Sequence, residues 1–398
     1  RNLKEKRKSL LMRVILAAYL ICLSSLSFGS ENGLNSDEAP KTILFWNTEE
    51  KLLGFKNIQH ILPTRLIKKS SEPYPLSYQL INLDSLTYRY GGKKFTINDY
   101  INTFKVAGLI VVKDDKILYE NYNFGNDETT KWMSFSVTKS VTSMLIGAAI
   151  KDGFIKSVND PISTYVTDLN QGNYSNVSIE DVLQMSSGID WNEDYADANS
   201  DVNIASAFND TKLYSYLNKL EVSNKPGTKF NYNTAESNVI GGIVRAATGQ
   251  NLSTYLEKKI WQPFGMEFDA YWALDSDYSQ ELGGCCINAT LRDYARIGIF
   301  ALRNGNLSDG RNTLPNDWMI QSTNPSPGFS YYGYQWWLAG PGYKAFYADG
   351  IFGQFIWVDP DSRTVIAMHS ARDVAALDRY SGLHRLNFLI SLIEEINK

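Results

Sequence analysis

Histidine is scarce in this chain of 398 residues, which contains only His60, His369 and His384. None of the three stands beside a plausible nucleophile or orienting acid, so we interpret each as a surface or packed residue. A Gly-x-Ser-x-Gly segment is also missing, which argues against a Ser-His-Asp hydrolase built on a nucleophile elbow. Without His-Glu-x-x-His or a spaced set of histidines and cysteines, the sequence predicts no metal site.

The sequence also lacks the usual features of cofactor and nucleic-acid binding. It has neither a Gly-x-Gly-x-x-Gly loop nor a Walker loop, the segments that cradle nucleotide phosphates. Beyond residue 13 it has no dense patch of lysine and arginine, and its formal net charge is −4. Binding of nucleic acid therefore has no electrostatic basis. We expect a small-molecule substrate and no cofactor, and the oligomeric state is not indicated.

Cysteine is as rare as histidine. Cys22 falls in an N-terminal apolar run, and Cys285 and Cys286 are neighbours. Adjacent cysteines close no long loop, so the chain has no disulfide framework and depends on its hydrophobic core. The sequence leaves open whether Cys285 and Cys286 form a vicinal disulfide, which would have strained geometry.

The N-terminus has the three parts of an export signal. Basic residues are frequent in residues 1–13, an apolar run extends from Val14 to Leu26, and small residues follow in Ser27-Phe-Gly-Ser30. This order predicts a secretory signal peptide over residues 1–29, and hence a periplasmic or secreted protein. The run is shorter than the ~20 apolar residues of a spanning helix, so we expect no stable membrane span after cleavage. An uncleaved N-terminal anchor is the alternative.

The rest of the chain is predicted to form an α+β domain with an N-terminal extension. Residues 30–104 mix short apolar pieces with turns, and we interpret them as an extension packed on the main domain. The main domain, residues 105–398, has strand patterns at both ends and mostly helical patterns over about 160–320. This arrangement favours one antiparallel sheet flanked by helices, with an inserted helical lobe.

Periodicity and turn residues give several elements definite bounds. Strands are expected at Val106–Val112, Lys116–Tyr122, Tyr334–Leu338, Gly353–Val358 and Arg363–His369. Helices are expected at Val137–Lys151, Thr234–Thr248, Asn251–Ile260 and about Arg379–Ile396. The segment Ser178-Ile-Glu-Asp181 has the form of a capping box, which starts a helix.

The most informative segment for chemistry is Ser136-Val-Thr-Lys139. Two residues three apart on a helix lie on one face, so the hydroxyl and the amine are within reach of each other. Serine becomes a nucleophile when a base takes its proton, and burial lowers the pKa of lysine so that it can be that base. The predicted helix is apolar all round, which places Lys139 in such an environment. The pair alone is common by chance, and a surface lysine near a capping serine is the alternative.

Two later segments add candidate groups. Tyr232 lies in Lys225-Pro-Gly-Thr-Lys-Phe-Asn-Tyr-Asn-Thr234 just before a predicted helix, where it could relay a proton or simply pack. Ala348-Asp-Gly-Ile-Phe-Gly-Gln354 opens a strand whose small residues allow close approach of a substrate. A backbone N–H of this edge, with that of Ser136, would make an oxyanion hole; a plain glycine turn is the alternative.

Taken together, these motifs resemble the serine β-lactamase and penicillin-binding superfamily. The similarity runs from about residue 42 to the C-terminus and is closest to the class C β-lactamase-related branch, with its 6-aminohexanoate-dimer hydrolases and related esterases. It is carried by Thr48–Phe55, Phe135-Ser-Val-Thr-Lys-Ser140, Val177-Ser-Ile-Glu-Asp-Val-Leu-Gln-Met-Ser-Ser-Gly188, Asn231-Tyr-Asn-Thr234, Ala289–Arg296 and Gly350-Ile-Phe-Gly-Gln354.

The resemblance implies a role for each matching residue. Ser136 would be the nucleophile, Lys139 its base and Tyr232 the proton relay, and the N–H groups of Ser136 and Ile351 would form the oxyanion hole. Two departures concern substrate binding. Ala348-Asp349-Gly350 stands where β-lactamases carry Lys-Thr-Gly, which removes a cation and adds an acid. Thr234 ends the tyrosine motif in place of Asn.

These departures favour a neutral or cationic substrate over a β-lactam. We expect Asp349, Gly350 and Thr234 to contact it, and Trp337 to line an apolar acyl pocket within the aromatic stretch at residues 329–337. Core packing is the alternative for each of these aromatics. The sequence thus predicts a serine hydrolase of ester or amide bonds. The alternatives are a β-lactamase or D-amino-acid peptidase, and a non-catalytic cell-envelope binding protein.

Overall fold

The computed structural model describes residues 43–398, and the predicted signal peptide lies outside them. The strands are β1 (Thr64–Ile67), β2 (Ser77–Tyr78), β3 (Thr87–Tyr90), β4 (Lys93–Thr96), β5 (Val106–Lys113), β6 (Lys116–Tyr122), β7 (Trp132–Met133), β8 (Ala270–Ala273), β9 (Ile287–Ala289), β10 (Trp337–Leu338), β11 (Phe346–Gly350), β12 (Gln354–Asp359) and β13 (Thr364–Ser370). The α-helices are α1 (Thr48–Gly54), α2 (Ile58–Ile61), α3 (Ile97–Phe104), α4 (Val137–Lys151), α5 (Ile179–Leu183), α6 (Asp201–Ala205), α7 (Asp210–Leu217), α8 (Thr234–Thr248), α9 (Leu252–Leu256), α10 (Gln262–Phe264), α11 (Leu291–Leu302), α12 (Trp318–Ser322) and α13 (Arg379–Ile396).

A seven-stranded sheet forms the centre of the fold, in the order β10-β11-β12-β13-β5-β6-β2. Its neighbouring strands are antiparallel except for the parallel pair β2 and β6. The predicted hairpin is confirmed, with Val111 of β5 opposite Tyr119 of β6. On its other edge β5 pairs with β13, where Val111 lies opposite Ile366. The sheet is therefore assembled from both ends of the chain.

Helices cover both faces of this sheet because its central strands are apolar on both sides. In β5 the whole run Val106–Val112 is buried, the pattern of a strand without a solvent face. Ile110 packs in one core cluster together with residues of α4 and α11. Val111 packs in the other, together with residues of α3 and α13. The α+β prediction of an antiparallel sheet flanked by helices is confirmed.

The best-marked helices have the bounds that the sequence predicted. They are α4, α8 and α13, and Gly249 ends α8 in a left-handed conformation. The capping box at α5 is also present, with Ser178 accepting from the backbone N–H of Asp181. The third predicted helix becomes α9, followed by a π-helical turn over Glu257–Trp261 and by α10.

One predicted strand is shorter than expected. The strand predicted over Tyr334–Leu338 is confined to β10, because the backbone N–H groups of Tyr334 and Gln335 bond to Ser322 and Leu183. These bonds lead outside the sheet, so the pairing with β11 begins only at Trp337.

A second sheet, in the order β1-β8-β9-β7, was not predicted. It joins residues 64–67 to residues 270–289, so part of the predicted N-terminal extension pairs with part of the predicted helical lobe. Helix α11 also falls inside the predicted lobe at 160–320, but it packs on β13, β12 and β5 of the large sheet. Helices α5 to α9 form the mostly helical part. Within residues 43–398 no helix is long and apolar enough to cross a membrane.

Candidate active site

The start of α4 presents Ser136 at the surface of an otherwise buried segment. Ser136 is the N-cap residue, and Val137 to Ala149 are all buried behind it. The preceding residue, Phe135, has a left-handed backbone with φ of 47°. Such a conformation is uncommon for a bulky residue and is found mostly where surrounding structure holds it, as at functional sites. The turn thus leaves Ser136 partly exposed at the beginning of the helix.

Lys139 reaches the Ser136 hydroxyl from one turn further along α4. Its Nζ donates to Ser136 Oγ at 2.9 Å and to the carbonyl oxygen of Gly284 at 3.1 Å. Lys139 is only 1% exposed. The structure therefore brings together the two residues on which the predicted chemistry depends, and it encloses the amine.

The electrostatics of Lys139 suit a base. Burial lowers the pKa of Lys139 from its usual 10.5 to about 8, while the negative charge of Glu193 acts in the opposite direction. Desolvation disfavours the ammonium form, which explains the direction of the shift. A neutral amine beside a hydroxyl can accept its proton and so generate a nucleophile.

The Gly284 carbonyl that holds Lys139 is itself held by α8. The backbone N–H of Gly284 donates to Asn238 Oδ1 at 2.8 Å. The neighbouring Gly283 approaches α8 so closely that a Cβ atom there would lie 2.3 Å from the carbonyl oxygen of Ser237. A side chain at position 283 would push this segment away from α8, and the acceptor of Lys139 with it. The adjacent Cys285 and Cys286 are joined by a disulfide.

Tyr232, the residue predicted to relay a proton, lies beside Lys139. The Lys139 Nζ is 5.4 Å from the centroid of the Tyr232 ring. The Tyr232 loop is tied to the segment after α5, where Met185 O accepts from the backbone N–H of Asn231 at 2.8 Å. Asn233 then caps α8 through its side chain. Two motifs far apart in sequence thus meet beside the amine.

The end of β11 runs directly beside the start of α4. Gly350 is so close to Ser134 that a Cβ atom on it would lie 2.5 Å from the Ser134 carbonyl oxygen. Only glycine fits this approach. Ile351 follows Gly350, so it lies on a backbone segment adjacent to that of Ser136. An oxyanion hole built from the N–H groups of these two residues requires this arrangement.

Thr234 is hydrogen-bonded to the carboxylate of Glu193, a residue that was not predicted from the sequence. Its backbone N–H donates to Glu193 Oε2 at 3.0 Å, and its hydroxyl donates to Glu193 Oε1. Glu193 also accepts from Trp191 Nε1 and, at 2.6 Å, from the Tyr195 hydroxyl. A carboxylate offers about four acceptor positions, and all are used here. The only sequence signal was an acid between two aromatics in a loop.

Asp349, which we expected to contact the substrate, is paired with an arginine that the sequence did not indicate. Its carboxylate accepts two hydrogen bonds from Arg385 of α13, at 2.8 and 2.7 Å. Asp349 lies next to Gly350 but on the strand face of Tyr347, which packs in the cluster that contains α13. The charge of Asp349 is therefore neutralised by Arg385, and Arg385 is held in turn over the ring of Phe355 at 4.6 Å.

The aromatic stretch divides between the core and the site. Trp337 stacks on Tyr232 with ring centroids 5.6 Å apart, and Tyr332 meets Tyr232 edge-on at 5.8 Å. Trp336 is fully buried against Phe346. Of these rings Trp337 is the partly exposed one beside Tyr232, whereas Tyr332 and Trp336 are buried.

The histidines occupy a surface position and two packed positions. His60 is exposed. Burial lowers the pKa of His369 to about 3, so it stays neutral between Trp132 and Tyr294. His384 bonds to the Tyr88 hydroxyl at 2.8 Å. In the described part of the chain, no group of three or more His, Cys, Asp or Glu side chains is arranged to hold a metal ion.

Comparisons with known proteins agree with this architecture. The 6-aminohexanoate-dimer hydrolase of Paenarthrobacter ureafaciens is 26% identical over 341 residues, which are 80% of this chain and 84% of that protein. A solved structure described as a candidate 6-aminohexanoate-dimer hydrolase from Bacillus anthracis superposes with a TM-score of 0.78 at 21% identity, covering 92% of this chain and 99% of that one.

More distant structures share the fold alone. A class C beta-lactamase variant superposes with a TM-score of 0.56 at 15% identity, covering 75% of this chain and 95% of that chain. The family model described as Beta-lactamase matches residues 100–386. Since this match extends over more than half of the sequence, the chain belongs to the beta-lactamase family.

Proposed function

We propose that this protein is a serine hydrolase that cleaves ester or amide bonds through an acyl-enzyme on Ser136. The observation that carries the proposal is the 2.9 Å contact between Lys139 Nζ and Ser136 Oγ, with the amine almost fully enclosed. Its family and its hydrolase relative support the same reaction class. The reaction requires no group beyond the side chains and backbone of the site.

In the first step, Ser136 Oγ bonds to the substrate carbonyl carbon as its proton passes to neutral Lys139. The carbonyl π electrons move to oxygen, and the N–H groups of Ser136 and Ile351 stabilise that oxyanion. Collapse of the tetrahedral intermediate breaks the bond to the alcohol or amine, which receives the proton from Lys139 through Tyr232. Water then repeats the sequence on the acyl-enzyme and releases the acid.

We propose a neutral acyl group that packs on an aromatic surface as the substrate class. Trp337 and Tyr332 flank Tyr232, and the Arg385 contact leaves Asp349 without a free charge for a substrate. The relative that hydrolyses 6-aminohexanoate dimer makes a linear amide the first compound to test. A panel of nitrophenyl esters, that dimer and simple amides compares the two bond types directly.

A β-lactamase or D-amino-acid peptidase is the second candidate, favoured by the fold shared with a class C enzyme variant. The absence of the lysine of Lys-Thr-Gly from Ala348-Asp349-Gly350 weighs against it. Hydrolysis of nitrocefin at ordinary enzyme rates would favour this candidate over the esterase or amidase. A non-catalytic binding protein would turn over none of these compounds.

The proposal is tested by replacing the nucleophile. Ser136→Ala should abolish turnover of a nitrophenyl ester while the melting temperature stays close to that of the wild type. Ser143→Ala is the matched control, because Ser143 lies on α4 but its hydroxyl donates to Tyr334 O at 2.8 Å rather than contacting Lys139 or Ser136. Full activity in Ser136→Ala would contradict the mechanism.

We also propose that the protein is exported, because residues 1–29 have the order of a signal peptide. Expression of the full chain in a bacterium with a periplasm should yield a periplasmic product shortened by about that length. A full-length product in the membrane fraction would favour the anchored alternative.

A further inference from the structure

Phe55, at the end of α1, contacts both backbone turns that carry the proposed oxyanion donors. It is fully buried, and its ring centroid lies 5.1 Å from that of Phe135 and 5.7 Å from that of Phe352. Phe135 and Phe352 also contact each other at 5.4 Å. Three rings therefore pack together between the nucleophile turn and the end of β11.

The two partners of Phe55 are the residues adjacent to the donors. Phe135 precedes Ser136, and Phe352 follows Ile351. Both have left-handed backbones, with φ of 47° and 61°. Bulky residues hold this conformation only where the surrounding packing imposes it. The positions of the two N–H groups thus depend on the contacts of these rings.

The backbone of Phe55 adds a second link to the nucleophile turn. Its carbonyl oxygen accepts from the N–H of Met133 at 3.0 Å, three residues before Ser136. Phe55 therefore contacts the turn through a hydrogen bond and a ring contact at the same time.

Lys51, one turn earlier on α1, contacts the backbone segment that packs on Phe352. Its Nζ donates to the carbonyl oxygens of Arg372 and Asp373 at 2.8 and 3.0 Å, and it lies 4.7 Å from the Phe352 ring centroid. The Arg372 segment bonds to Phe352 in turn: Arg372 N–H donates to Phe352 O, and Phe352 N–H donates to Ala375 O, both at 2.9 Å. A buried ammonium so placed ties α1 to the backbone that carries Ile351.

We propose that Lys51 and Phe55 are positioning residues that set the spacing between the oxyanion-hole N–H groups of Ser136 and Ile351, an inference that rests on the proposed function. Phe55 and Lys51 are 0% and 2% exposed, so they act on the tetrahedral intermediate through the backbone that they hold. Their loss weakens binding of the oxyanion and leaves ground-state binding of substrate unchanged, because the contacts of the acyl group lie elsewhere.

The experiment distinguishes positioning of the oxyanion-hole N–H groups from a general contribution to stability. We compare Lys51→Met, which keeps the aliphatic stem, and Phe55→Leu with two controls of similar chemistry that have other partners. Lys113→Met removes another lysine bonded to a backbone carbonyl, that of Ile396, and Phe388→Leu removes a ring buried against Tyr100. For each protein, kcat and KM for a nitrophenyl ester, affinity for a boronic acid and the melting temperature are measured.

We expect kcat of the two α1 variants to fall about tenfold or more, short of the ~100-fold loss on removing a donor outright. Their KM should stay within about twofold, and boronic-acid affinity should fall in parallel with kcat, since a boronate mimics the tetrahedral intermediate. The two control variants should lose stability, but they should not show a fall in kcat and boronic-acid affinity at constant KM. Wild-type kcat and boronate affinity in folded Lys51→Met would overturn the proposal, and this variant decides if Phe55→Leu does not fold. If the wild type shows no turnover and no phosphonate labelling of Ser136, the proposed function itself fails.

Discussion

We predict that the burial of Lys139 sets the acid limb of the pH–rate profile. With a pKa of about 8, about one tenth of the amine is neutral at pH 7, whereas an ordinary lysine of pKa 10.5 would be neutral in only about 0.03% of molecules. Burial therefore increases the fraction of usable base at pH 7 by about 300-fold, which corresponds to the shift from 10.5 to about 8.

The assay is kcat/KM for a neutral nitrophenyl ester between pH 6 and 9.5, in buffers of constant ionic strength. We expect kcat/KM to rise about tenfold per pH unit up to pH 7 and to level off above an apparent pKa of about 8. The substrate carries no titrating group in this range, so the limb reports the enzyme. A profile that is flat over this range, or that still rises steeply at pH 9.5, would refute the assignment of buried Lys139 as base.

Two further predictions concern carboxylates. Glu193→Gln removes the charge that raises the pKa of Lys139, so the acid limb of kcat/KM should move to lower pH. Asp194→Asn, at the neighbouring residue, should leave the limb in place. An unchanged limb in Glu193→Gln would show that Glu193 only supports the loop. Burial raises the pKa of Glu236 to about 8 from its usual 4.5, so the native state holds this proton longer than the unfolded state does. Its contribution to stability is complete below pH 4.5 and is lost as pH rises toward 8, so the melting temperature of the wild type should fall by several degrees relative to that of Glu236→Gln between pH 5 and 8. Parallel curves for the two proteins would contradict the shift.

Local sequence signals were sufficient for the long elements. Helices α4 and α13 have the predicted bounds because each apolar pattern extends over several turns, and capping residues mark the start of α13. Ser136 and Lys139 were found for the same reason, since their spacing acts within one helix turn. Features that depend on residues close in sequence were thus predictable.

Features that depend on residues distant in sequence were not predictable. The short strands β1 and β8 acquire their pairing across about 200 residues, and neither has a pattern of its own long enough to predict. The ion pair of Asp349 with Arg385 was not predicted, because Arg385 lies on a helix whose position depends on the tertiary fold. Glu193 was missed because a loop acid becomes informative only when the start of α8 lies against it.

The proposed mechanism requires Ser136 to be the residue that becomes acylated. Mass spectrometry of the intact protein after treatment with a serine-reactive phosphonate shows which residue reacts. We expect one mass addition per chain that maps to Ser136, is absent in Ser136→Ala, and becomes slower to form as pH falls below about 8, the pKa of Lys139. Complete absence of labelling in the active protein, or labelling that maps to another serine, would contradict it.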